Sequence, residues 1–382
     1  MSSQREYVRK LEGGGFEQSP KLWQLMHIDV LLLFFLLLLS VFGLIVLYSA
    51  SSQSMEMVRK QASFLLGGYV ALVVCAHIPA LLYRRFAPFL YFIGLILLCA
   101  VVFFGDPSKG AQRWLEIPGL PRFQPAELMK LVTPLMAAWY LSTRVLPPRF
   151  KYIAATLLLA LMPAALIMVQ PDLGTAILVA SSGCFVLLLA GIYWRYVFIA
   201  LFTALLAAWP IWQFILHDYQ RLRVLTLLDP ERDKFGAGWN IMQSKTAIGS
   251  GGWTGAGWLE GTQSQLKFLP ESHTDFILAV LAEEWGFLGV LCLLALYLCI
   301  IARTLVLAWA ADTVFNKLVI ASIGLTFFVY IFVNVGMVSG MLPVVGVPLP
   351  LISRGGTSII SLMVGFGIVM ALSADKRQFS HH

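Results

Sequence analysis

Glu271, His273 and Asp275 crowd together in FLPESHTDF (residues 268–276), in a chain of which only 12% is charged. The apolar run ILAVLAEEWGFLGVLCLLALYLCII follows at once. A carboxylate near the first turn of a helix stays ionised, which suits a metal ligand or a modest general base. The same segment also fits a capping box, with Ser272 at the N-cap and Asp275 at the third helical position. Capping needs one carboxylate and leaves Glu271 and His273 unexplained, so both readings of Asp275 stand.

Other ionisable residues pose the same choice between packing and chemistry. Glu127 and Lys130 stand at i and i+3 in QPAELMK, share a helix face and can neutralise each other. They either fix helix packing or line a polar pathway, where intramembrane charges usually point. A lysine so placed can also hold a phosphate. Asp172 in QPDLGT reads first as an N-cap acid favoured by the helix dipole. Arg221, Arg223, Arg232, Lys234, Lys245 and Lys267 lie among glycines and tryptophans in GWN and GSGGWTGAGWLEG. They form either a basic surface facing lipid headgroups or a ligand site with close backbone approach and rings that stack on sugars. No Gly-Lys-Ser/Thr follows a strand, which argues against a nucleotide-driven pump. Glu283 and Glu284 are adjacent, so they face different directions and at least one must turn inward. His77 reads as a core histidine with its polar atoms satisfied. The cysteines Cys75, Cys99, Cys184, Cys292 and Cys299 all fall inside apolar runs, as small buried hydrophobes.

These residues must be positioned by membrane helices. The chain of 382 residues is 59% hydrophobic with a mean hydropathy of +0.81, too little charge to cover a soluble domain. We expect an all-α integral membrane protein with ten spans: 28–49, 62–82, 86–104, 124–143, 152–169, 173–191, 195–216, 275–302, 317–340 and 356–374. Residues 1–27 form an N-terminal segment, 28–374 the membrane domain and 375–382 a tail. The N-terminal segment, the tail and alternate connections carry fourteen Lys and Arg, against six on the opposite side outside the long 217–274 connection. The positive-inside rule then puts both termini in the cytoplasm and the 217–274 loop outside. The net charge of +7 follows from this topology and implies no nucleic-acid partner. The unusual polar segments, 105–130, 169–175, 217–274 and the Gly/Pro-rich 337–358, all fall on the outer side. Non-helical backbone at membrane depth survives only when buried in protein or lining a wet cavity, so a cavity open to the outside is expected.

Taken together, GAQRW…FQPAELMK, QPDLGT, QSKTAIGSGGWTGAGW…GTQSQLKFLPESHTDFILAVLAEEWG and LPVVGVPLPLISRGGTS resemble the SEDS family of bacterial cell-wall polymerases, over about residues 28–374. LPVVGVPLP before ISRGG looks like the elongation-type (RodA-like) branch rather than the division-type (FtsW-like) branch. The resemblance implies a peptidoglycan glycosyltransferase that polymerises lipid II at the outer face of the inner membrane, with Asp275 as the catalytic acid–base residue. It implies a class B penicillin-binding protein transpeptidase and other elongation-machinery membrane proteins as partners. Asp275 would deprotonate the attacking sugar hydroxyl. Glu127, Lys130, Arg221, Arg223, Lys245, Trp114, Ser353, Gly355 and Gly356 form the expected substrate-binding set. A divalent cation, Mg or Mn, is expected on Asp275 and Glu127. One departure is Arg354, where the family more often has Tyr. The rival from another class is a lipid II flippase, which would need polar lining down to the cytoplasmic side.

Overall fold

The structure is a computed structural model that describes residues 27–108, 111–115, 122–215, 218–230, 233, 236–265 and 271–375. Arg232, Lys234, Lys267, the Phe268–Pro270 part of the opening motif, and most of both terminal segments lie outside the described residues.

Every predicted span has a helical counterpart, although 62–82 runs past the end of its helix at Ala76 and across a break at 77–79 into the next, which begins at Ala80. Helix α1 (Val30–Ala50) starts at Asp29, whose carboxylate accepts from the Leu32 N–H, and α2 (Met55–Ala76) starts at Ser54, which caps Met57. Then come α3 (Ala80–Phe104), α4 (Pro125–Ser142), α5 (Phe150–Val169) and α6 (Leu173–Leu189). Helix α7 (Trp194–Pro210) runs into a π-helical turn at Ile211–Ile215. After it lie α8 (Asp218–Leu228), α9 (Ala237–Gly251), the short α10 (Thr262–Gln265), α11 (Ile277–Ala310), α12 (Val314–Val338) and α13 (Thr357–Ala374). Eight of these helices are long and apolar enough to cross a membrane: α1, α2, α3, α5, α7 with its π turn, α11, α12 and α13. The apolar α6 is shorter, and in α4 the Glu127–Lys130 pair lowers the hydropathy of an otherwise apolar stretch.

The second helix starts seven residues before the predicted span (62−55). Arg59 and Lys60 fall before the expected span yet lie in the helix, where Glu56 and Lys60 pair at 2.5 Å across one helical turn, both exposed. A helix accommodates such a pair at its end, where long side chains reach water. Similarly α11 continues past the predicted 302 because Arg303 is held by Asp29 at 3.0 Å from Nε and 2.5 Å from Nη2. Two features are absent from an all-helical expectation. Strands β1 (Asp106–Ser108) and β2 (Ala111–Trp114) form an antiparallel hairpin, extended by a Leu115–Phe123 bridge. And the 217–274 connection is largely helical, through α8, α9 and α10.

Helix α12 forms the centre of the bundle, with Phe315, Val319, Ile320, Phe327, Ile331, Asn334 and Met337 all buried. Its side chains pack with those of α11 and α13, as in the Tyr297–Phe327 and Phe327–Phe366 ring pairs. Helix α11 is broken at Gly286, whose φ of 65° lies in the left-handed region that favours glycine. The 252–257 segment fills the break. Ala256 and Gly257 donate to the carbonyls of Glu283 and Glu284, while Phe287 and Leu288 donate to those of Gly252 and Trp253. Backbone groups freed by the break are thus satisfied by a neighbouring loop rather than left bare.

Candidate functional site

A cavity of about 810 Å³, open solvent at its mouth included, lies between the hairpin, the starts of α4, α6 and α13, the 346–348 turn and α12. Its wall includes Arg113, Trp114, Gln124, Glu127, Lys130, Asp172, Tyr330, Gly346, Arg354, Gly355 and Gly356. Three segments singled out as polar and irregular in the sequence (105–130, 169–175 and 337–358) therefore converge on one space.

Lys130 and Glu127 are both buried and lie 2.6 Å apart. Lys130 also donates to the Tyr330 hydroxyl at 2.5 Å, and Ser361 donates to the other Glu127 oxygen at 2.5 Å. The pair is thus the middle of a chain of hydrogen bonds joining α4 to α12 and α13. Full pairing offsets the cost of burying two charges, and the lysine keeps a third N–H at the cavity wall. Packing and lining are both true of it. Asp172 behaves likewise. It caps α6 by accepting from Thr175 N at 3.2 Å, accepts from Gln124 Nε2 at 3.0 Å, and stands 4.0 Å from Arg113 Nε. Arg113 also donates to the carbonyl of Pro171.

Asp275 precedes its helix instead of lying in it. Helix α11 opens at Ile277, with Phe276 at the N-cap position and no side-chain cap. The expected capping box does not form: the Ser272 hydroxyl donates to the Ala50 carbonyl at 3.1 Å, and Glu271 accepts from Thr274 at 2.6 Å. The half-buried Asp275 abuts the cavity wall at Gly346, where a Cβ would lie 3.5 Å from its Oδ2. Gly346 has a φ of +75°, a left-handed conformation that favours glycine. Asn334, fully buried on α12, sets this register by donating to the carbonyls of Asp275 (2.9 Å) and Val347 (2.8 Å). Ser353 is also a positioning group, donating to the Thr274 carbonyl at 2.5 Å and accepting from Leu349 N at 2.8 Å.

The remaining expected substrate contacts divide. Trp114, Gly355 and Gly356 line the cavity. Arg221 and Arg223 lie on α8, away from its lining residues, with Arg221 Nη2 bonded to the Gln213 carbonyl at 2.8 Å. Lys245 lies on α9 against Gly340, also outside the lining. Glu283 turns inward to Thr262 and Gln263 at 3.0 and 2.8 Å, and Glu284 to Ser49. His77 is exposed at the end of α2, bonded to the Val73 carbonyl, rather than a core histidine. The cysteines do not form a buried set either, since Cys99, Cys292 and Cys299 are exposed on apolar helices, where hydrocarbon replaces water.

The model for FtsW, RodA and SpoVE, described as a cell cycle protein family, matches residues 29–378. The chain belongs to this FtsW/RodA/SpoVE family. The peptidoglycan glycosyltransferase MrdB of Escherichia coli K12 is 53% identical over 360 residues, covering 94% of this chain and 96% of the relative. A structure described as showing structural coordination of polymerization and crosslinking by a peptidoglycan synthase complex superimposes with a TM-score of 0.81 at 32% identity, over 92% of this chain and 98% of that one. The rod shape determining protein RodA of Thermus thermophilus superimposes with a TM-score of 0.69 at 29% identity, over the same shares. Three of the four segments that carry the family resemblance thus line the cavity, and the fourth comes to its wall where Asp275 abuts Gly346.

Arg113, Tyr330, Asn334 and Gln61 are site residues that sequence reasoning passed over. Arg113 lies on β2, while the other three are polar residues inside largely apolar helices, the one signal that pointed to them.

Proposed function

We infer that this chain is a peptidoglycan glycosyltransferase of the elongation type, polymerising lipid II at the outer face of the bacterial inner membrane with both termini in the cytoplasm. One observation carries the reading. The carboxylate of Asp275 lies against Gly346, part of the wall of a cavity lined by Lys130 and Arg113. Glycosyl transfer from a lipid diphosphate needs a base for the incoming sugar hydroxyl and positive charge for the departing diphosphate. Asp275 accepts the proton, while Lys130 and Arg113 face the developing charge. Trp114 offers a flat ring for a sugar. Because diphosphate is already a good leaving group, one carboxylate suffices and no glycosidase-type pair is required.

The residues present do not make a metal cage. Among the described residues no group of three or more His, Cys, Asp or Glu is placed to hold an ion, and both Glu127 oxygens are engaged by Lys130 and Ser361. A divalent cation would have to be held by Asp275 with oxygens supplied by the substrate, as Mg²⁺ commonly is. It would supply charge neutralisation. A class B penicillin-binding protein is the proposed partner, with other elongation-machinery proteins around it. A flippase would need polar lining through to the cytoplasmic end. Here the deeper space beyond Lys130 and Tyr330 is walled mainly by Leu131, Ile323, Phe327, Leu362 and Phe366, with Thr326 and Ser361 as its other polar side chains, which favours the polymerase.

The test is polymerisation of lipid II by the chain purified with its transpeptidase. Asp275→Asn should lose at least about a hundredfold in rate while its melting temperature stays near that of the parent. Chelator added to the parent enzyme should stop the reaction and Mg²⁺ or Mn²⁺ restore it. Near-normal turnover by a folded Asn variant would remove Asp275 from the chemistry, and full activity in chelator would remove the metal.

A further inference from the structure

The charges lining the cavity are three cations, Arg113, Lys130 and Arg354, and two carboxylates, Glu127 and Asp172. Lys130 is matched by Glu127 at 2.6 Å and Arg113 faces Asp172 at 4.0 Å. Among the described residues no carboxylate lies within ion-pair distance of the exposed Arg354 guanidinium. With Asp275 beside the wall the cations and carboxylates balance in number, and among the described residues Arg354 is the lining cation that no carboxylate within ion-pair distance neutralises.

An exposed arginine on a free loop would sample many positions, but the backbone around this one is fixed on each side. Gln61, on α2 and only 2% exposed, donates from Nε2 to the Ser353 carbonyl at 2.9 Å. Its Oε1 accepts from the Gly355 N–H at 3.2 Å. One side-chain amide thus bridges the residues before and after Arg354. The Arg354 N–H itself donates to the His273 carbonyl at 2.9 Å, tying the turn to the segment that carries Asp275. Burying an amide is costly unless both its ends are satisfied, and here both are spent on one turn. We propose that Arg354 is the cation this cavity presents to an anionic group of the substrate, and that Gln61 is the positioning residue that holds it in place.

The ligand chemistry that fits is a phosphate-bearing one, a lipid-linked sugar diphosphate, since a guanidinium pairs with phosphate oxygens in a two-pronged geometry. The inference rests on the glycosyltransferase reading above. The experiment measures kcat and KM for lipid II with the full chain and its transpeptidase, at low and high salt. Failure of the parent protein to polymerise would overturn that reading and this inference with it. Given parental turnover, Arg354→Gln should raise KM about tenfold, keep kcat within about twofold and flatten the salt dependence of KM. Arg354→Lys should recover part of the affinity. Lys60→Gln, an equal charge loss one residue from Gln61, should leave KM as it was. Gln61→Met keeps length but removes both hydrogen bonds. It should raise KM as Arg354→Gln does and add nothing to the double variant, because both act through one cation. A purely structural Gln61 would instead lower the melting temperature and the active fraction at unchanged KM. An unchanged KM in folded Arg354→Gln overturns the proposal even if Gln61→Met does not fold, as does a further KM rise in the double variant.

Discussion

Helices α12 and α7 are both apolar and both long enough, α7 with its π turn, to cross a membrane, yet they live in opposite surroundings. Helix α12 is buried along most of its length, whereas α7 has no buried residue. Neither hydropathy nor small residues separate them, since α7 carries Ala200, Ala204, Ala207 and Ala208; glycines and side chains that hydrogen-bond to other helices do. Ser322, Gly324, Thr326, Asn334 and Gly336 let other helices approach α12 and hydrogen-bond to it, as Ser322 does to the Ser182 carbonyl at 2.7 Å. Helix α7 presents Phe198, Leu201, Phe202, Leu205 and Trp209, bulky residues that suit lipid chains. Without a hydrophobic drive between helices in lipid, close packing and hydrogen bonds decide which helices associate. Function follows the same division, since Tyr330 and Asn334 of α12 shape the site.

The strongest way to break this contrast acts on the charge pair bonded to α12. Lys130→Met strands the Glu127 carboxylate in the bundle and should cost about 3–5 kcal/mol, read as a fall in melting temperature. Adding Glu127→Gln should restore most of that stability, while lipid II turnover stays lost because one of the two cations facing the departing diphosphate is gone. Recovery of both would make the pair structural only. Next comes Asn334→Leu, which leaves the Asp275 and Val347 carbonyls without their donor. We expect a loss of about 2–4 kcal/mol and a kcat that falls more than stability alone explains. A kcat unchanged in folded protein would show that Asn334 does not position Asp275. The smallest effect belongs to α7. Leu205, 72% exposed, should tolerate Ala with a change below about 0.5 kcal/mol. A large loss there would mean that α7 is packed against protein and that the contrast is false.

Much of the fold was legible because membrane helices announce themselves by length and hydropathy. The Glu127–Lys130 pair was legible too, because both partners lie on one helical turn. What could not be read were pairings across sequence. Gln61 meets Ser353 and Gly355, and Lys130 meets Tyr330, only after folding. The capping box at Ser272–Asp275 misled for the same reason: a distant carbonyl at Ala50 takes the Ser272 hydroxyl. Arg221 and Arg223 were chosen for charge and loop position. Their helix, α8, does not bring them to the cavity lining, and charge alone carries no direction.

The break at Gly286 has a mechanical consequence. An unbroken α11 would be a single rod, and any tilt imposed by bilayer thickness would swing its tip together with Asp275. Split at Gly286, the 287–310 portion, about 35 Å long at 1.5 Å per residue, can lean to match its hydrocarbon layer. The 252–257 loop holds Glu283 and Glu284 before the break and Phe287 and Leu288 just after it, so the lean is taken up beyond Leu288 and the 277–285 portion need not follow it. The fold thus separates the part of the helix that answers to the membrane from the part that must hold a carboxylate still.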